Sequence, residues 1–307
     1  MADVFDAELE HAIALDPDDP ALFAVYADWL QQAGSARGEL AAVQLAREAG
    51  DDQKLAAREA ELLDEHAAIV RGPAQADGYR IEDHCNEVTY RGGFWRAITF
   101  SGPLRVLQAL VAHPSARLLH SLAVGYLDGT TDDYAPAVAA IAAAHLPVLR
   151  VLRLGDVPEG QSALAGFGDR TCGSLAALAA ACPRLETLRL LCPRFELGAH
   201  PTLRTLDARL GATPDSVARL ADAQLPALAA LDLGFETLED AMYPELRWSL
   251  TTLDPVPGSR ALTVRLWPMP PEGDLAERLV ERGAARFAGV EICEDLDADD
   301  TGGAYAM

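Results

Sequence analysis

"PVLRVLRL" spans residues 147–154, and the phrase returns as "PRLETLRL" at 183–190, "PTLRTLDA" at 201–208 and "PALAALDL" at 226–233. Each copy has the form P-x-L-x-x-L-x-L, with Ala208 in the last place of the third. A weaker copy lies upstream in "LLHSLAV", where Leu119, Leu122 and Val124 hold the apolar places. The last two apolar places are separated by one residue, the spacing of one face of a strand. The first falls three residues earlier, where the chain leads into that strand. The proline cannot continue a helix and turns the chain toward extended backbone.

Helical patterns lie between most of the phrases: "GPLRVLQALVAHP" (102–114), "DYAPAVAAIAAAHLP" (133–147), "SLAALAAACP" (174–183) and "SVARLADAQLP" (216–226). Short strands alternating with helices at a recurring leucine spacing are the signature of leucine-rich repeats. The first leucines fall at 119, 149, 185, 203 and 228, so the steps are 30, 36, 18 and 25 residues. The longest step holds the irregular "GDVPEGQSALAGFGDRT" (155–171), and the shortest has almost no room for a helix. Downstream, "ALTVRLWP" (261–268) reads as one more strand, "EGDLAERLVERGAARF" (272–287) as a helix and "GVEIC" (289–293) as a final strand. Upstream, "NEVTYRGGFWRAITFSG" (86–102) reads as two strands joined by a glycine turn, with Val88 and Tyr90 alternating on one and Phe94, Ile98 and Phe100 on the other.

The first 70 residues carry the helical period instead. Phe5, Leu9 and Ile13 mark a helix over about 3–15, which "DPDDP" (16–20) ends. Phe23, Tyr26 and Leu30, widened by Trp29, mark a second over 21–32, which runs into a turn at Gly34 and Ser35. Leu40, Val43 and Ala46 mark a third over 36–49; Leu55, Leu62 and Ile69 mark a fourth that runs on to residue 69 or 70. The expected fold is therefore α/β: a leucine-rich-repeat solenoid of short parallel strands alternating with helices, behind a small all-helical N-terminal cap. The expected divisions are 1–72 for the cap, 80–293 for the irregular repeats and 294–307 for an acidic, disordered tail.

The net charge of −22, from 25 Lys+Arg against 47 Asp+Glu, repels a nucleic-acid backbone and an anionic membrane surface. No run of eighteen apolar residues is present to span a bilayer, and no basic segment followed by an apolar run opens the chain. Cys85, Cys172, Cys182, Cys192 and Cys293 form no C-x-x-C pair, and an odd, sparse set fits a reducing compartment. A cytoplasmic protein without nucleic-acid or membrane partners is the expectation.

"YADWLQQAGSARGELAAVQLA" (26–46), preceded by "IALDPDDPAL" (13–22), resembles the repeat-companion domain at the N-terminus of many bacterial proteins from planctomycetes and myxobacteria. The matching residues are Pro17, Asp18, Asp19, Leu22, Tyr26, Ala27, Asp28, Trp29, Leu30, Gly34, Arg37, Gly38, Glu39, Gln44 and Leu45. "YRGGFWRAITF" (90–100) resembles the strand that commonly follows that domain. The family often has a more basic or bulky residue before the arginine of R-G-E, where this chain has Ala36. The resemblance implies a bacterial source and leucine-rich repeats downstream. It implies no reaction, because the family shares a sequence and not a chemistry.

Residues between the inward leucines of such a repeat face its concave surface. One row takes Ala123, Arg153, Arg189, Asp207, Asp232 and Arg265, a basic patch beside an acidic one. Arg153, Arg189, Asp207, Asp232 and Arg265 are thus the candidate partner-binding residues, for a protein of complementary charge; the alternative is a solvated strand face. Trp248 and Trp267 are candidate interface anchors or covers for the end of the core. No G-x-S-x-G, H-E-x-x-H, G-x-G-x-x-G or phosphate-loop motif occurs, so no catalytic residue or cofactor is expected. No metal is expected either. His84 and Cys85 are adjacent and make a poor ligand pair, and the run Asp295, Asp297, Asp299 lacks the glycine and the final glutamate of a calcium loop, having Asp300 and Ala306 there. Cys172, Cys182 and Cys192 read as small buried packing residues. Asp28 and Arg37 read as an ion pair fixing the turn between two helices, with Glu39 beside them. The expected function is a non-catalytic protein–protein interaction module. A structural or accessory subunit of a larger assembly is the alternative, and an enzyme of unrecognised type the third.

Overall fold

The computed structural model describes residues 4–50, 52–72, 80–128, 133–155, 170–208, 216, 219–220, 223–234, 263–267 and 289–292. It is a mixed α/β structure with a mostly parallel sheet. The chain divides into two compact units: Met1–Ala123 with Ala139–Arg150 and Ala180–Arg184, and Val124–Val138 with Val151–Ala179 and Leu185–Met307.

The first unit opens with α1 (Ala7–Leu15), α2 (Pro20–Gln32), α3 (Ala36–Ala49), α4 (Gln53–Glu65) and a short α5 (Ala67–Val70). An N-cap side chain starts each of the first four. Asp6 accepts from Glu8 and Leu9, Asp19 from Ala21, Ser35 from Arg37 and Asp52 from Lys54, which satisfies backbone donors the helix leaves open. Pro20 occupies the first turn of α2, where its missing N–H costs nothing. The fourth helix does not run unbroken to Ile69 as its pattern suggests. It ends at Glu65, and His66 (φ −109°, ψ 22°) separates it from α5.

A 3-10 turn (Ile81–His84) leads into β1 (Cys85–Arg91) and β2 (Phe94–Pro103), paired antiparallel across Gly92 and Gly93. Both glycines have positive φ, +58° and +80°, as the tight hairpin turn demands. They also leave no room for a side chain: a Cβ on Gly92 would stand 2.5 Å from the Phe23 ring, and one on Gly93 would stand 2.9 Å from the Arg37 carbonyl oxygen. The hairpin is thus seated directly on α2 and α3, and Phe94 enters one core with Ile13, Phe23, Tyr26, Leu30, Leu118 and Val148. The Tyr26 and Phe94 rings stack at 5.7 Å. A second cluster joins Leu40, Leu62 and Val70, with Tyr90 packed against it.

Arg37 differs from its expected role. Asp28 is exposed, while Arg37 is fully buried and its guanidinium reaches three other segments. Nη1 donates to the Gly93 carbonyl at 2.7 Å and to Ser115 Oγ at 2.9 Å, and Nη2 donates to the Ile69 carbonyl at 2.7 Å. Ser115 Oγ in turn donates to the Val70 carbonyl at 2.6 Å. The break at His66 therefore presents the open carbonyls at the end of α5 to buried donors. The Phe94 ring lies 4.8 Å from the guanidinium carbon. Glu39 is not part of this arrangement and pairs with Arg58 at the surface.

Next come α6 (Leu104–Ala112), a 3-10 turn (Pro114–Leu118), β3 (Ser121–Asp128), α7 (Ala135–Ala144), β4 (Val151–Leu154), β5 (Thr171–Ser174), α8 (Leu178–Ala181), β6 (Thr187–Leu190), β7 (Arg194–Glu196), β8 (Thr205–Ala208), β9 (Ala230–Gly234), β10 (Thr263–Trp267) and β11 (Gly289–Ile292). In the first unit β2 neighbours β1 and β3, and β3 runs on into the second. There the strands follow in the order β3-β4-β6-β8-β9-β10-β11, with every pairing from β4 onward parallel. The phrase prolines have a local task. At three of the four, the residue before the proline accepts a hydrogen bond from the first leucine after it: Leu146 from Leu149, His200 from Leu203 and Leu225 from Leu228, at 3.1–3.3 Å. Pro147, Pro201 and Pro226 hold the second place of these turns, where the fixed proline φ fits. Leu149, Leu185, Leu203 and Leu228 are buried, as are Leu152, Leu188, Leu206 and Leu231 at the first inward strand position.

One stretch departs from the helical reading. In 174–183 the helix is confined to Leu178–Ala181, because Thr171–Ser174 is a strand. That strand, β5, pairs with β7 in a separate parallel ribbon, and β7 fills the 18-residue step between β6 and β8. His145 follows α7 at φ +51°, the left-handed position that ends a helix. His113 accepts from Ser115 N–H at 3.1 Å and caps the 3-10 turn after α6. The helix read over 272–287 and the tail from 294 lie outside the described residues, as does most of 155–171.

Candidate functional site

The charged row expected from the phrases exists in the backbone. Cα partners across the parallel strands are Arg153 with Arg189, Arg189 with Asp207, Asp207 with Asp232, and Asp232 with Arg265. One residue from each successive phrase thus stands beside its equivalent, at the strand spacing of about 4.8 Å.

The side chains do not form the open, solvated face that alternation suggests. Arg189, Asp207 and Asp232 are buried at 6%, 6% and 5% exposure; Arg153 is half-buried. Arg189 Nε lies 3.7 Å from Asp207 Oδ2, so the centre of the row is a buried ion pair. Taking two charges out of water costs several kcal/mol each, and their attraction at best repays that. Such a pair fixes register more than it adds stability. The neighbouring row at the start of the same strands is more open: Val151, Thr187, Thr205 and Ala230 are Cα partners in turn, and each is half-buried. Trp267 ends β10, and Trp248 lies outside the described residues.

A second polar constellation, which the sequence reading did not single out, lies in the first unit. Asp18, in the turn between α1 and α2, accepts from Arg96 Nη2 at 3.1 Å on one carboxylate oxygen and from Arg150 Nη1 at 2.6 Å on the other. Arg96 comes from β2. Arg150 is the fourth residue of the "PVLR" phrase, and its N–H donates to the carbonyl of His120, the equivalent residue of the weaker copy. His120 N–H donates in turn to the Arg96 carbonyl. The three side chains therefore occupy matching places on adjacent segments. Burial alone would raise the Asp18 carboxyl, but the hydrogen bonds and charges of Arg96 and Arg150 outweigh it and hold the group below the usual range. His120 is pushed down to about 4, first by burial and then by the charges of Arg96 and Arg150. Burial also lowers Arg96, with Arg91 and Arg150 adding like-charge repulsion. Arg91 itself lies over the Phe23 ring at 4.6 Å and pairs with Glu48.

No group of three or more His, Cys, Asp or Glu among the described residues is arranged to hold a metal ion. His84 packs near the Phe100 ring, and Cys85 Sγ donates to the Ile81 carbonyl at 3.3 Å. Cys172, Cys182 and Cys192 are free thiols buried in the second and first units, the packing role their sequence contexts suggest. The Asp295–Asp299 run lies outside the described residues. No helix among the described residues is long and apolar enough to cross a membrane.

No family model matches the chain, and no curated protein matches it. Among solved structures, a protein from Bacteroides fragilis is similar over 62% of this chain and 70% of its own, at 12% identity and a TM-score of 0.39.

Proposed function

We propose that this chain is a non-catalytic protein-binding module of the leucine-rich-repeat type, which meets its partner on the half-open row of its parallel sheet. The observation that supports this reading most directly is the in-register stacking of the phrases. Val151, Thr187, Thr205 and Ala230 form a row of small or medium side chains across four strands, with the charge of Arg153 at one end. A surface of small residues admits a partner's side chains closely, and a bordering charge adds specificity more than affinity. Burial of Arg189, Asp207 and Asp232 makes them supports of that row and not its contacts.

The test is capture from native lysate by the intact chain, by Arg153→Glu and by Thr187→Arg, both on half-buried side chains. The expected result is one protein retained at a fixed ratio by the intact chain and lost by both variants, with unchanged circular dichroism. Equal retention by all three removes the sheet face from the interaction. A second reading, an accessory subunit of a larger assembly, draws on Phe5, Leu15 and Val25, each more than half exposed in the N-terminal helical segment. It predicts that Leu15→Ser with Val25→Ser shifts the assembled mass in native lysate while Thr187→Arg does not.

A further inference from the structure

We propose that Arg96 and Arg150, flanked by His120, form a receptor for a carboxylate of an acidic protein segment, and that Asp18 occupies it in cis. The proposal rests on the reading of the chain as a protein-binding module and names a chemistry for part of its partner.

The geometry is that of a bound carboxylate. Two guanidiniums on different segments each take one oxygen of Asp18, at 3.1 and 2.6 Å. Charge-assisted bonds of this kind are about twice as strong as neutral ones, and guanidinium is matched to planar oxyanions. Arg96 also has capacity left over, since its Nη1 is buried without a hydrogen-bond partner. A buried guanidinium N–H without an acceptor is costly, so Arg96 is not fully satisfied by Asp18. The plug is accessible: the Asp18 side chain is 53% exposed and sits on a turn, whereas Arg96 and Arg150 are 24% and 22% exposed. An intramolecular ligand on an exposed turn is one that an external carboxylate can replace without unfolding anything.

The surroundings concentrate positive charge against the trend of the whole molecule. The chain carries −22 overall, yet Arg91, Arg96 and Arg150 influence one another and His120 here. The overall field disfavours a long polyanion, while a short acidic segment with few charges is governed by contact geometry. That separates a protein segment from nucleic acid or an anionic membrane as the occupant.

The experiment uses the full chain and an acetylated, amidated peptide of four glutamates, followed by isothermal titration and by the His120 ring proton in NMR. Asp18→Ala removes the plug and is expected to bind the peptide at least ten-fold more tightly than the unaltered chain. Arg150→Gln added to Asp18→Ala is expected to abolish binding. The ring proton separates loss of the plug from loss of the fold, since unfolding returns His120 toward its ordinary 6.5. Loss of Asp18 lowers the His120 pKa, because Asp18 is the group there that raises it, and a seated peptide carboxylate raises it again. A tetra-lysine control is expected to leave it unmoved. Absence of peptide binding by Asp18→Ala, or binding that Arg150→Gln does not affect, overturns the proposal. Peptide binding without capture of any protein by the sheet face upholds this receptor while the wider reading fails. Capture of a protein with no peptide binding by Asp18→Ala does the reverse.

Discussion

Arg37→Met tests whether one buried guanidinium joins the N-terminal helices to the hairpin that follows them. Methionine keeps the length and apolar stem of the side chain and removes its donors. Arg37 is fully buried, and its fork reaches Gly93, Ser115 and Ile69. Ser115 Oγ retains its bond to the Val70 carbonyl, so the variant deprives the buried Gly93 carbonyl and the part-buried Ile69 carbonyl of a charged donor. Each such loss costs about 1–3 kcal/mol, or about 2–6 kcal/mol together. Relief of the guanidinium's own desolvation offsets part of this, and about 3 kcal/mol is the expected net loss. Arg37→Lys is expected to be no better, because its donors radiate from a single nitrogen and cannot span the acceptors that Nη1 and Nη2 reach separately. A chain of two compact units need not unfold in one step, so the assay is native-state hydrogen exchange read by segment. Amides of α3, β1 and β2 are expected to lose protection together and by the same amount, with those of β6 and β8 unchanged. A loss below about 1 kcal/mol, or loss in α3 alone, refutes the reasoning. The same argument says that residues 1–72 expressed alone do not fold cooperatively. That fragment lacks Gly93 and Ser115 as acceptors and Phe94 from its core.

The Arg189–Asp207 pair offers a double-mutant cycle: Asp207→Ala, which strands a buried cation, is expected to cost about 3–5 kcal/mol, whereas Arg189→Leu with Asp207→Leu is expected to be near neutral. Urea unfolding of both variants decides it, and an Asp207→Ala loss within experimental error sinks the description of the pair as buried. His120 makes stability depend on pH with a definite sign. Its folded pKa of about 4 lies below the ordinary 6.5, so between these values the unfolded chain binds the proton and the folded chain does not. Stability is therefore lost from this group as pH falls from about 6.5 to about 4; His200, lowered chiefly by burial, acts in the same sense. His120→Gln is expected to flatten the difference, and identical pH profiles for the two proteins contradict the assignment. Thiol chemistry checks the core: burial pushes Cys182 up to about 11, Cys85 up to about 12 and Cys172 well above the usual thiol range. In a Cys293→Ser background, a thiol reagent at pH 8 is expected to label none of these three until denaturant is added, and rapid labelling of any one shows that its burial is wrong.

The strand positions were legible because each rests on a local rule. A proline, a leucine three residues before the strand's first inward leucine, and a spacing of two within the strand are enough to place Leu149, Leu152 and Leu154 and their counterparts. Stacking the phrases then fixes the register, so Arg153, Arg189, Asp207, Asp232 and Arg265 fall in one line before any coordinates are known. Their burial is another matter. Alternation assigns a residue to a face and carries no information about what lies on that face. The order of signs is more informative than the parity. Like charges facing each other across strands are unfavourable, yet Arg153 faces Arg189 and Asp207 faces Asp232, while Arg189 faces Asp207 and Asp232 faces Arg265 with opposite sign. A fully solvated row tolerates such an order cheaply, because water screens it. A buried one needs its opposite-sign neighbours to be made, and the buried Arg189–Asp207 pair is placed to help hold the register of the sheet. The Asp18 cluster had no such local rule. Asp18 and Arg150 are 132 residues apart in sequence, and "DPDD" serves equally well as a helix stop. One signal was present even so: Arg150 and His120 hold the same place in their phrases, so their adjacency follows from the repeat itself, although later copies have Glu186, Arg204 and Ala229 there; Arg96 and the acidic partner Asp18 required the fold.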